Sequence, residues 1–160
     1  MNIDQLITII ETAFDGVPQP TDMTLHAAQA WDSYGFCTEE DRKKDDTGRW
    51  QNLPKEHIEE CQNALSYLNK VGMRFYLPAY VIWYLKTLGT SDYWSDHTLY
   101  TLNNHPNSPE LAECMTEQFS LFTKDQLKAC ALFVKFCTIE PHSDTSFARE
   151  IYDGYWHQYE

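Results

Sequence analysis

The chain is short of the residues that build the common catalytic loops. Its six glycines never fall into a GxGxxG or GxxxxGK spacing, so the usual backbone cradles for nucleotide phosphates are absent. No GxSxG elbow and no HExxH helix occurs, which removes two familiar hydrolase signatures. The five cysteines are an odd set with no CxxC pair. They predict free thiols in a reducing, cytoplasmic setting rather than a disulfide framework. The opening Met1-Asn2-Ile3-Asp4 carries an acid where a secretory leader carries bases, and no leader is expected. The longest apolar run is interrupted by Lys86 and is too short to span a bilayer; no membrane partner is expected.

Basic residues are scarce as well. Twelve Lys and Arg face 24 Asp and Glu, a formal charge of −12. Residues 1–30 hold no Lys or Arg, and residues 31–60 hold nine acids against five bases. A nucleic-acid binder carries a basic face, so no nucleic-acid partner is expected. Such a surface either only solvates the fold or steers association with a basic partner.

Aromatic residues are plentiful, at 14%. They concentrate in Arg74-Phe75-Tyr76-Leu77-Pro78-Ala79-Tyr80-Val81-Ile82-Trp83-Tyr84-Leu85. Proline disfavours helix in the residue before it and suits a first helical turn. The spacing therefore predicts a hydrophobic helix over about 78–88, started by Pro78, with residues 73–77 extended and open to a short strand. Apolar all round, that helix belongs at the centre.

The remaining elements read from periodicity and caps. Ile3, Leu6, Ile7, Ile10 and Phe14 form one helical stripe behind a candidate N-cap, Asn2. A second helix fits residues 24–34, closed by Gly35. Residues 37–54 read as an exposed charged loop, with Trp50 and Leu53 docking its end. Ile58, Cys61, Leu65 and Leu68 predict a helix over about 55–70, ended by Gly72. Short or capped helices are expected near 96–102 and 108–119. Another starts at Thr123, whose spacing to Gln126 is that of a capping box, and the last follows Ser143 or Asp144. No stretch alternates as a strand does. The prediction is an all-α fold, one compact domain over 1–160, with six to eight helices around the central one.

Few side-chain groups carry chemistry. His57, Glu60 and Cys61 share one face of a predicted helix and include zinc-type donors, yet Cys61 sits on the apolar stripe and reads as a core thiol. Asp92, Asp96 and His97 fall in one loop, where capping explains the acids. Tyr152, Tyr155, Trp156 and Tyr159 read as core or as an interface edge. Arg74 is expected to pair with an acid from residues 39–46 or to stack on Tyr76. No metal and no cofactor is expected.

Several stretches together resemble a known pattern. Trp50 with Leu53-Pro54, Leu65-Ser66-Tyr67-Leu68, Gly72-Met73-Arg74-Phe75-Tyr76-Leu77-Pro78-Ala79-Tyr80 and Thr123-Lys124-Asp125-Gln126 resemble a family of small bacterial proteins of unassigned function. Its members share a G-x-R-F-Y-L-P-A core and a late L-x-x-x-Q helix start; here Phe122-Thr123 stands at the late leucine. The resemblance covers about residues 50–137. It implies a bacterial cytosolic protein and supplies no catalytic residue.

The expectation is an acidic protein-interaction module. Its concrete form is an immunity or inhibitor protein that neutralises a basic toxin or nuclease. The candidate contacts are Glu39, Glu40, Asp41, Asp45 and Asp46, with Trp50 as an apolar anchor. The alternative is a small enzyme or ligand-binding domain, its pocket lined by Arg74, Tyr76, Tyr80, Trp83 and Tyr84. Oligomeric state stays open.

Overall fold

In the computed structural model, which describes all residues 1–160, every regular element is helical. Nine α-helices follow in order: α1 Ile3–Ala13, α2 Leu25–Tyr34, α3 Glu39–Lys43, α4 Lys55–Glu60, α5 Lys70–Thr87, α6 His97–Tyr100, α7 Pro109–Gln118, α8 Lys124–Cys137 and α9 Thr145–Gly154. Single 3-10 turns lie at Trp50–Asn52, Ala64–Ser66 and Trp156–Tyr159. Six of the helices have ten residues or more.

The all-α expectation holds, but the central helix differs from the reading above. It begins at Lys70 rather than Pro78 and runs eighteen residues, with Pro78 inside it. Residues 73–77 are helical, not extended. Pro78 has no N–H to give the Arg74 carbonyl, a defect worth about 3 kcal/mol in a helix interior. Burial outweighs it. Thirteen of the eighteen residues are buried, and each large apolar side chain removed from water contributes about 1.5–3 kcal/mol. Asn69 starts the helix by accepting the Gly72 N–H at 3.0 Å.

The predicted helix over 55–70 is also broken. α4 stops at Glu60, and Cys61 leaves helical geometry at φ −115°, ψ 40°. The stripe still names the right core: Ile58, Cys61, Ala64, Leu65 and Leu68 are all buried. They are delivered by a short helix and a 3-10 turn. That break frees the Cys61 carbonyl to accept the Tyr80 hydroxyl.

α1, α5 and α8 pack together, and α9 with the C-terminal 3-10 turn closes on α8. Gln126 joins the three: its Oε1 accepts from Thr123 N and Arg74 Nε, and its Nε2 donates to the Ala13 carbonyl. Arg74 thus pairs with an amide, neither with an acid of residues 39–46 nor with the Tyr76 ring. Trp156 is fully buried and donates to the Leu102 carbonyl at 2.8 Å. Tyr152, Tyr155 and Tyr159 pack partly buried against the same core.

Gly72 is a close-approach residue, not a terminator. A Cβ there would lie 2.9 Å from Leu68 Cδ2 and 3.2 Å from the Met23 carbonyl oxygen. Alanine is ordinarily the better helix residue by about 1 kcal/mol. Here Gly72→Ala is expected to destabilise by about 1–3 kcal/mol, because the Met23 backbone must move. A chemical denaturation midpoint equal to or above wild type contradicts this packing.

Candidate functional site

The start of α2 lacks its own cap. Thr24 precedes it, but the threonine hydroxyl makes no capping bond and is buried without a partner. The first N–H groups of a helix need acceptors. Asp45 supplies one from another segment: its Oδ2 accepts the His26 N–H at 2.8 Å. Negative charge at a helix N-terminus is also favoured by the helix dipole.

Asp45 reaches that position because the chain turns sharply after α3. Thr47 N donates back to the Asp45 carbonyl at 2.9 Å, and Gln19 Nε2 donates to the same oxygen. The side chain has no exposed surface. A buried carboxylate needs charge and hydrogen bonds around it. Two imidazoles meet it: Asp45 Oδ1 lies 2.8 Å from His26 Nδ1 and 3.0 Å from His57 Nδ1. The two rings stand at 90° with centroids 4.9 Å apart. His26 Nε2 in turn lies 2.9 Å from Glu60 Oε2, one turn beyond His57 on α4.

The electrostatics follow from this geometry. The Asp45 bond, with the Cys61 thiol and Glu60 also beside the ring, pushes His26 up to about 11. Burial drives the Asp45 carboxyl upward, but the His26 ring and amide outweigh it and hold it below the usual range. The His26 ring likewise lowers Glu60. Behind the cluster, burial and the Asp45 charge raise the Tyr76 phenol. That hydroxyl faces the Leu25 amide without closing a proper hydrogen bond.

The other residues singled out in the sequence disperse. Glu39, Glu40 and Asp46 are exposed. Asp41 is half-buried, reaching back to Thr38 as the second half of a capping box. Asp45 is not a surface contact at all. Trp50 is not a surface anchor either: it is 3% exposed, and its indole donates to the Phe14 carbonyl. Tyr76, Tyr80 and Tyr84 share one face of α5 but line no common pocket. Tyr80 bonds the Cys61 carbonyl, and Tyr84 bonds Asp96 and Ser143. Trp83 is half-buried, and Arg74 is held by Gln126. Asp96 is thereby turned to Tyr84, while His97 Nε2 lies 3.4 Å from Ser66 Oγ. Asp144 caps α9 through Phe147 N. A groove of about 1200 Å³ lies between α6 and α7 near His97, Tyr100, His105 and Glu110.

Of the predicted set His57, Glu60 and Cys61, all three do gather at one point, but around His26 and Asp45. His26 was not foreseen, and Asp45 was expected only as a surface contact. His26 stood alone in a helix start, and Asp45 was one of several acids in a charged run.

The molecule is therefore an all-α protein with a buried carboxylate clasped by two histidines, and no helix in it is long and apolar enough to cross a membrane. It belongs to the family described as "Family of unknown function (DUF6714)", whose model matches residues 2–160. No curated protein and no solved structure matches the chain.

Removing Asp45 leaves an uncapped helix start and takes the Nδ1 partner from both imidazoles. Asp45→Ala is expected to cost about 3–5 kcal/mol, the range for breaking a buried ion pair by deleting one partner. Glu60→Ala, whose side chain is 65% exposed, should cost far less. Urea midpoints of the two variants check the order; similar midpoints would contradict an interior anchor at Asp45.

Proposed function

We propose that the protein is an acidic protein-interaction module whose partner is a basic protein. In its concrete form it is an inhibitor or immunity-type protein of a basic toxin or nuclease. One observation supports this reading best. Trp31, Tyr34 and Phe36, at 48%, 74% and 60% exposure, stand together at the end of α2 and in the turn beyond it. Trp31 and Tyr34 are one helical turn apart, and the Tyr34 and Phe36 rings lie 6.3 Å apart. Exposed rings of this kind are the usual anchors of interfaces.

Acids lie in the same part of the chain. Asp32, Glu39, Glu40 and Asp46 are all exposed, in a chain of charge −12. Arg42 and Lys43 lean on Glu39, and Lys44 on Asp41, which leaves Asp32, Glu40 and Asp46 free to face a partner. The division of labour is then clear. Acids speed encounter with a basic surface, and the rings, once desolvated, set the lifetime of the complex. The odd cysteine count without a CxxC pair supports a cytoplasmic setting.

The test uses the intact chain as bait, beside a Tyr34→Ser/Phe36→Ser variant. A protein held by wild type and lost by the variant is expected to be basic. With that protein purified, the association rate should fall about tenfold or more between low and high salt. Glu40→Lys should slow association while leaving dissociation nearly unchanged. An acidic ligand, or a salt-independent association rate, overturns the reading. So does a wild-type dimer that the variant converts to monomer.

A further inference from the structure

We propose that His26, Asp45 and His57 form a binding site for one divalent transition-metal ion of the zinc kind. One ligand atom from each of the three residues lies within 4.8 Å of the others, and the facing atoms are His26 Nδ1, Asp45 Oδ1 and His57 Nδ1. Zinc takes imidazole nitrogen and carboxylate oxygen at roughly 2.0–2.2 Å in tetrahedral geometry, which sets neighbouring ligand atoms about 3.3 Å apart. The two separations to Asp45 Oδ1 are 2.8 and 3.0 Å. A spread of a few tenths of an ångström between Asp45 Oδ1 and each ring nitrogen opens the site.

The surroundings suit a metal. A ligating histidine commonly donates its second ring N–H to a carboxylate, which orients the ring and raises its basicity. Glu60 Oε2 is in that place, 2.9 Å from His26 Nε2. The second oxygen of Asp45 is fixed by the His26 N–H, so the ligand oxygen is aimed before any ion arrives. Once the ion has displaced the proton that His26 carries, Asp45 and Glu60 bring two negative charges that match a divalent cation held by two neutral imidazoles. Access is available, since the His57 side chain is 22% exposed and that of His26 11%. A water molecule entering from the His57 side completes the fourth position. The donor set of two nitrogens and one oxygen suits zinc and its neighbours over calcium or magnesium, which take oxygen ligands.

The sequence offered His57, Glu60 and Cys61 on one helix, where Cys61 reads as a core thiol, and so predicted no metal. α4 ends at Glu60, and two of the three ligands come instead from the start of α2 and the turn after α3.

The test is calorimetric titration of tag-free, chelator-stripped protein with Zn²⁺. Wild type is expected to bind one equivalent. His57→Ala, checked for native helicity by circular dichroism, should weaken binding at least a hundredfold. Should that variant fail to fold, Glu60→Gln takes its place. As an exposed outer partner it should weaken binding roughly 10- to 100-fold. A His97→Ala/His105→Ala variant, altered in the separate α6–α7 groove, should bind as wild type does. Absence of binding by wild type overturns the proposal. So does undiminished binding by the His57 or Glu60 variant, or loss of binding in the groove variant.

Discussion

A helix with no face left for water dictates the rest of this architecture. α5 is apolar around most of its circumference, so no single partner can cover it. α1, the 3-10 turn after α4, α6 and α7 all contact it. The same demand explains the aromatic content. Tyr76, Tyr80 and Tyr84 fill wide gaps between α5 and its neighbours with rigid rings. Within that packing the hydroxyls of Tyr80 and Tyr84 find acceptors. A proline in the middle of such a helix is tolerated because the missing backbone bond is a local loss, whereas the burial is shared along the whole element.

That balance also explains what the sequence could and could not reveal. Residues whose caps are local were legible: Asn2 caps α1, and the capping box of Thr123 with Gln126 forms. Gly35 closes α2 in the left-handed conformation at φ +73°. The stripe at 58, 61, 65 and 68 named core residues correctly but not their continuity, since periodicity reports burial and not an unbroken backbone. Pro78 misled because its local preference for a first turn is real, and only the surrounding tertiary contacts override it. The buried cluster was not legible for a different reason. Its members come from positions 26, 45, 57 and 60, and no short-range pattern links them.

The interaction-module expectation places the working surface on the negative exterior. The convergence of ionisable side chains at Asp45 requires that view to be narrowed. Buried ion clusters are weak evidence for stability in themselves, because desolvation offsets much of their attraction. A carboxylate with no solvent contact has to be explained by what it holds in place. Here it holds the start of α2, which would otherwise begin on an unsatisfied amide and a threonine that does not cap.

Interior and surface are then joined by one short segment. Residues 39–46 carry Glu39, Glu40 and Asp46 on the outside and turn Asp45 to the inside. α2 is pinned by Asp45 at its first turn and presents Trp31 and Tyr34 near its last. Any species that occupies the cluster, whether a proton on His26 or a metal ion between the two imidazoles, binds groups that also fix this segment and this helix. Binding energy spent on that arrangement is by linkage energy that stabilises the presented surface. A rigid helix carrying rigid rings loses little further freedom on docking, which lowers the entropic penalty of association. The clasp at Asp45 and the exposed rings of α2 are therefore two ends of one mechanical element, and the charge that looked like mere solvation is partly the means of holding it.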